Sequence, residues 1–479
     1  MRRQRRSGGL AFLVPLLALP QVARADEPLR GGEPRLLAEP GEVTDVIDAF
    51  DGDDAFDLHL TLGYQYTFKT SNIRRELSFN PNLDPNTAPG FTTADAPVAK
   101  YEENTSRLNT RIDVGVYHDL AIYARMPIIL SNERKLTDLS GSQGAQSLFL
   151  AGGPADGVQL FNLPFQSPKR GGIEYLALGL DAGLMNQYRD PTKPTWMAGF
   201  EVRLNVSEPI HACNANPPSG QVSCAVPSNV DRTAAGGQTE SGVSRGTTGL
   251  ELHTAISKRI KYTEPYAGFR ALIEFPTQKS ELHEADLLGS VVNHPPLVGT
   301  FFAGLQVIPW EHREQFQRLT IDGRLGGSYH SEGRDYSELF DALGSSSAPS
   351  LRSANPAQYH ADPNDPTQSV GDYSKPVFFN GVTAVSAYMT FQASIQVTWQ
   401  VGEYIKFALG GAYTYEQSHF INSQQQCGPS LTNDPTQSGP CSSGVPNPNF
   451  RPTIDSVGRR FRTDGANLWD GWLHGTVMF

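Results

Sequence analysis

The chain has 479 residues, with 39 Lys+Arg against 50 Asp+Glu, and is rich in turn formers (46 Gly, 35 Pro). That acidic balance argues against nucleic acid as a partner. Beyond a short leader no apolar run is long enough for a membrane helix, so a bilayer span here has to be made of strands.

The leader comes first. Met1-Arg2-Arg3-Gln4-Arg5-Arg6 precedes an apolar run from Leu10 to Leu19 and then Ala23-Arg24-Ala25, the layout of an export signal over residues 1–25. Removing Arg2, Arg3, Arg5, Arg6 and Arg24 takes the formal charge from −11 to −16. Residues 26–54 hold Asp45, Asp48, Asp51, Asp53 and Asp54 and read as an acidic periplasmic lead-in, helical or unstructured. Their order lacks the ligand spacing of a calcium loop, and no metal site is assigned.

Residues 55–479 read as strands. Phe56 to Lys69 alternates strictly, with Phe56, Leu58, Leu60, Leu62, Tyr64, Tyr66 and Phe68 on one parity and polar residues on the other. The row ends in aromatics, as at a membrane interface. A strand of a large soluble sandwich would share this alternation. Further strands are expected at 107–117, 120–130, 176–184, 198–205, 249–259, 263–276, 297–310, 315–330, 387–399 and 405–415, and the chain ends in Leu468-Trp469-Asp470-Gly471-Trp472-Leu473-His474-Gly475-Thr476-Val477-Met478-Phe479. That makes about twelve. The connections at 118–119, 188–193, 260–263, 311–314 and 401–403 are short. Those at 70–105, 131–171, 207–246, 277–296, 331–381 and 417–466 are long. A sandwich has no reason to sort its loops in this way. An all-β, antiparallel up-and-down transmembrane barrel with short periplasmic turns and long extracellular loops requires it. The terminal Phe479 matches the signal read by the barrel-assembly machinery, so that machinery and outer-membrane lipid are the expected partners.

Parity also places charges inside the barrel. Arg111, Arg125, Arg203, Arg270, Arg318, Arg324 and Lys406 face Asp113, Asp181, Glu201, Glu251, Glu274 and Asp322. Such a set either fills the lumen with ion pairs or lines a narrow path that selects solutes by charge. The second long loop stands apart in composition: Leu148, Phe149, Leu150, Val158, Leu160, Phe161, Leu163 and Phe165 are too apolar to stay in water. They are expected to be ordered, either at the barrel mouth as a gate or against neighbouring loops. Cys213 with Cys224 and Cys427 with Cys441 sit in long loops without zinc spacing, and in an exported chain they read as two disulfides.

Two motifs tempt an enzymatic reading. Gly242-Val243-Ser244-Arg245-Gly246 fits the nucleophile-elbow pattern but lacks the strand-to-helix context. His330-Ser331 are adjacent, so a strand would point them to opposite faces. No catalytic residue and no cofactor is therefore assigned.

Gly171 to Leu184, Met197 to Val206 and Ser257 to Arg270, with the Glu264-Pro265-Tyr266-Ala267-Gly268 hairpin, resemble the outer-membrane family named after a phenol meta-pathway degradation protein. The likeness covers residues 106–276, and departs from the family's pattern at Glu174-Tyr175, where Gly-Asp is usual. It implies a barrel that admits small, often aromatic or hydrophobic, compounds, and supplies no catalytic residues. The expected function is passive passage of small solutes through the outer membrane of a Gram-negative envelope. A non-conducting barrel acting through its surface loops is the alternative, and an outer-membrane lipolytic enzyme a remote one.

Overall fold

In a computed structural model, residues 43–44, 46–47, 49, 57–79, 92–139, 159–216, 221–224, 238–284, 287–358, 374–426 and 446–479 are described. The leader, most of the acidic segment, Leu148, Phe149, Leu150, Val158, Cys427 and Cys441 lie outside the described residues.

Twelve long strands follow one another around a single sheet: β1 (Leu58–Phe79), β2 (Thr92–Tyr117), β3 (Leu120–Asp138), β4 (Leu176–Met185), β5 (Thr195–Leu204), β6 (Thr247–Ser257), β7 (Thr263–Pro276), β8 (Val298–His312), β9 (Gln317–His330), β10 (Tyr388–Gln400), β11 (Ile405–Glu416) and β12 (Phe461–Met478). Each pairs antiparallel with its neighbours in sequence, and β1 pairs with β12 from His59↔Met478 to Arg75↔Phe461. The sheet therefore closes into a barrel with no free edge, which is what a bilayer demands of strands.

Alternation decides which residues face lipid. Leu60, Leu62, Ile122, Leu180, Phe269, Ile273, Leu325, Ile395 and Leu409 are exposed on the outer wall. Tyr117, Trp196, Tyr262, Trp310, Trp399 and Tyr404 ring the periplasmic end, while Tyr64, Tyr66, Tyr329, Tyr415 and Trp469 ring the other. Two aromatic girdles around an aliphatic band are the exterior of a transmembrane β-barrel. The periplasmic turns are tight. His118-Asp119 joins β2 to β3, with Asp119 in the left-handed region at φ 53°, where a short polar side chain is tolerated. In the next turn Thr192 donates both its N–H and its hydroxyl to Asp190 Oδ1, at 3.1 and 2.6 Å.

The first three strands run farther than their alternation foretells. β1, β2 and β3 have 22, 26 and 19 residues, so part of the expected loop 70–105 is paired strand (Ser71↔Tyr101, Ile73↔Ala99). Beyond the bilayer the outer face is wet, so the apolar period that marks a strand is lost.

These upper walls enclose a second apolar core. Ile73, Tyr101, Leu136 and Phe461 from the strands pack with Leu160, Phe161, Phe165, Leu339, Leu343, Leu351, Ile421 and Ile454 from the outer loops, and Leu163 lies against the set. Ile73 shares its parity with Lys69 and Gln65, on the inner face of β1, so this cap sits inside the outer mouth of the barrel.

Arg at a lipid-facing midplane site costs about 2–4 kcal/mol, and lumen sites tolerate it better. Leu62→Arg should lower the stability of the folded barrel in urea titrations by that order, whereas Gln392→Arg, on the inner wall, should fold normally. Equal behaviour of the two would invert every face assigned above.

Candidate functional site

The lumen is the concave feature that all twelve strands build. Small residues on the inner wall make room for large ones: the Cβ that Gly179 lacks would strike the Tyr123 ring, and that of Gly199 the Asp181–His253 pair. Eleven of the thirteen charges assigned by parity come together there or at its outer rim in linked groups.

Near the periplasmic side, Arg111 donates to Asp113 at 2.7 Å, reaches Asp181 at 3.4 Å and lies over the Tyr123 ring at 4.0 Å. Asp181 also meets His253 Nε2 at 2.7 Å. Farther out, Arg125 grips Glu201 through two hydrogen bonds of 2.5 Å, and Arg203 donates to Glu201 at 2.8 Å and to Glu251. Both guanidinium groups stand over the Tyr175 ring, that of Arg125 at 5.4 Å and that of Arg203 at 5.2 Å. Across the barrel, Arg324 donates to the Tyr266 hydroxyl at 2.9 Å, and that hydroxyl donates to Asp322 at 2.7 Å. Arg270 stands over Phe302 at 5.7 Å. Glu274 lies at the outer rim, paired with Arg245 at 2.9 Å, and Arg245 also holds Asp335 at 2.8 Å. The other two lie nearer the periplasm: Lys406 lines the inner lumen, and Arg318 stands opposite Glu311 at the periplasmic end.

Two cavities result. The inner one, about 360 Å³, is lined by His59, Arg111, Asp181, His253, Lys406 and their neighbours. The outer one, about 250 Å³, is lined by polar side chains such as Glu251, Thr300, Ser328, Thr390 and Gln392 together with the apolar Leu272, Val298 and Phe302. Arg270, Phe302 and Arg324 line both and form the waist between them.

The described residues of the acidic segment do not behave as a solvated lead-in. Val43 and Val46 pack against Met197, Ala255, Tyr266 and Phe302 on the inner wall, and Thr44 Oγ1 lies 2.7 Å from Ser257 Oγ. Val43, Val46 and Ile47 line the inner cavity. The aspartates dominate the composition, but the apolar residues between them are what the lumen buries.

The outer end is held by a buried ion pair that periodicity could not reveal. Arg170 binds Asp341 through two hydrogen bonds of 2.9 and 2.7 Å, with the side chains 1% and 4% exposed. Arg170 also donates to the carbonyls of Ser241 and His211, at 3.2 Å each. Three outer loops are thereby tied together, and the disulfide Cys213–Cys224 staples the middle one. Lys69, on the inner face of β1, reaches up to Glu338 at 2.9 Å and to Glu416 at 3.1 Å. Leu160, Phe161, Leu163 and Phe165 of the apolar loop are packed in this cap, but its centre is the helical turn Phe340–Gly344 of the fifth long loop. The Ser331 hydroxyl accepts from the Leu297 N–H and donates to the Glu332 carbonyl, while His330 stacks on Tyr388 at 4.4 Å.

Fold and lumen together define a twelve-stranded transmembrane β-barrel with a polar interior and a packed cap. No family model and no curated protein matches the sequence. Among solved structures, the chain is similar to the COG4313 outer membrane channel from Pseudomonas putida F1 at 8% identity, over 92% of this chain and 99% of that one, with a TM-score of 0.32. The TodX monoaromatic hydrocarbon channel deltaS2 mutant aligns at 11% identity over 93% and 94%, TM-score 0.32. The outer membrane protease OmpT from Escherichia coli aligns at 8% over 91% and 100%, TM-score 0.27.

Breaking a buried ion pair from one side strands the other charge, at about 3–5 kcal/mol. Arg170→Ala and Asp341→Ala should each make the outer loops of the intact barrel sensitive to protease, and Arg170→Met with Asp341→Leu should do so much less. Undiminished protection in the single variants would show that the pair does not hold the cap. A second prediction concerns Asp455, in the helical turn Pro452–Asp455 of the cap. Burial pushes its carboxyl from 3.8 up to about 7, against the pull of the Arg451 N–H that donates to it at 2.8 Å. The folded state thus holds a proton that the unfolded chain releases at lower pH, so its stabilisation is lost as pH rises toward and through 7. Hydrogen exchange in this turn, corrected for intrinsic rates, should be slower at pH 5 than at pH 8, and Asp455→Asn should flatten the difference.

Proposed function

We propose that the protein is an outer-membrane channel of a Gram-negative envelope that passes small solutes by passive diffusion, without chemistry of its own. The observation that carries this reading is the pair of adjoining cavities along the barrel axis, meeting at Arg270, Phe302 and Arg324. A barrel that only anchors surface loops gains nothing from keeping solvent-sized space beside charged groups. The charged and hydroxyl groups of the lining favour solutes with at least one polar end. The family resemblance adds small aromatic or hydrophobic compounds, for which Phe302 at the waist and Leu272 and Val298 beyond it offer apolar surface. The cap over the outer cavity and Val43, Val46 and Ile47 in the inner one are the two closing elements.

The alternative, a non-conducting barrel, draws on the extent of ion pairing and on the packed cap. Planar-bilayer recording separates the two. The exported chain should give discrete conductance steps, and deletion of residues 43–49 should enlarge them while heat-modifiable gel migration is retained. Conductance at the lipid baseline for both folded proteins would overturn the channel reading.

A further inference from the structure

Ion pairing among the described residues of the lumen leaves one cation of the waist without a carboxylate. Arg111, Arg125, Arg203 and Arg324 each have a carboxylate within ion-pair reach. Arg270 does not. Among the described residues none places a carboxylate at ion-pair distance from it, and its guanidinium stands over the Phe302 ring at 5.7 Å. It lines both cavities and is open to them. The acids nearby are taken: Glu251 is bound by Arg203, and Asp322 by Arg324 and Tyr266.

The two cavities share the cations of the waist. The outer cavity carries Arg270 and Arg324 against Glu251. The inner one carries Arg111, Arg270, Arg324 and Lys406 against Asp113, Asp181 and Asp322, with His59, His253 and His474 beside them. Arg270 and Arg324 are common to both, so the two cavities together carry Arg111, Arg270, Arg324 and Lys406 against Glu251, Asp113, Asp181 and Asp322, and it is the pairing at the waist, not a net excess of charge, that leaves Arg270 open.

We propose that the waist is a binding site for a small organic anion, and that its carboxylate is taken by Arg270 with Arg324 alongside. An aromatic ring over a guanidinium covers its face and leaves its N–H edge free, and that edge has the fork geometry that matches a carboxylate. Arg324 spends its Nε on Tyr266. The Phe302 ring borders the same spot, and Thr300, Ser328, Thr390 and Gln392 offer neutral hydrogen-bonding groups on the outer side. The ligand class that fits is a small carboxylate with an apolar or aromatic body. This names the solute class for the channel proposed above, yet the binding step itself does not depend on conduction.

The test is equilibrium binding to the full-length exported protein in detergent at low ionic strength, with three probes of one ring and three charges: benzoate, benzyl alcohol and benzylamine. Benzoate should bind best. Losing one charge-assisted contact of this kind corresponds to about a tenfold loss of affinity or more, which is the effect expected of Arg270→Gln. Arg270→Lys should retain part of the affinity, and Lys169→Gln, which removes a charge from the exposed surface, should retain all of it. Where Arg270→Gln fails the gel-migration test of folding, the ranking of the three probes on the native protein and the Arg270→Lys variant decide. Benzoate binding no tighter than benzyl alcohol, or unchanged in folded Arg270→Gln, overturns the site. A protein that binds benzoate but never conducts would sink the channel and leave the site; one that conducts without preferring benzoate would do the reverse.

Discussion

The constraint on which everything else rests is that peptide groups inside a bilayer have no water to bond. A strand can cross only if both of its edges are paired, so the first and last strands must find each other across about 400 residues of chain. The β1–β12 register, Leu60↔Val477 through Lys69↔Leu468, meets that requirement. With closure imposed, the pleat sorts side chains without further choice: one parity meets lipid, the other is confined to the lumen. The inner residues are polar because the outer ones had to be apolar.

Confinement then governs the chemistry of the interior. Charges enclosed by a barrel wall are costly unless paired, and the wall supplies partners on neighbouring strands: Arg125 with Glu201, Arg203 with Glu201 and Glu251, Arg111 with Asp113. Aromatic rings fill the gaps between these pairs and lie against the guanidinium groups, as Tyr175 and Tyr123 do. The result is an interior rigid enough to keep defined cavities, with Arg270 and Arg324 at their junction. The cap follows the same rule on a larger scale. Its apolar residues could not stay in water, and the upper halves of β1, β2 and β3 offered them a wall to pack against.

Much of this was legible in residue order. Strict alternation from Leu58 to Lys69 and the sorting of loops into short and long were enough for strand number, direction and facing. The same parity put Arg111, Asp113, Arg125, Asp181, Glu201 and Arg203 on the inner wall. It could also have placed Tyr123, Tyr266 and Phe302 there, because an aromatic residue on the polar parity of a membrane strand has only the lumen to enter. Arg170, Asp341 and Arg245 carried no such signal. They lie in the outer loops, where spacing says nothing about which side chains meet.

By itself, then, the amino-acid order determined the barrel, its orientation and the two faces of its wall, because these depend on a period of two and on loop length. Only the tertiary structure decided what the enclosed space contains. The entry of Val43 and Val46 into the lumen, the joining of three outer loops at Arg170 and Asp341, and the absence of a carboxylate beside Arg270 among the described residues all involve residues far apart in sequence. Their relations exist only once the sheet has curved and closed on itself, since it is the curvature that brings opposite walls within reach of one another.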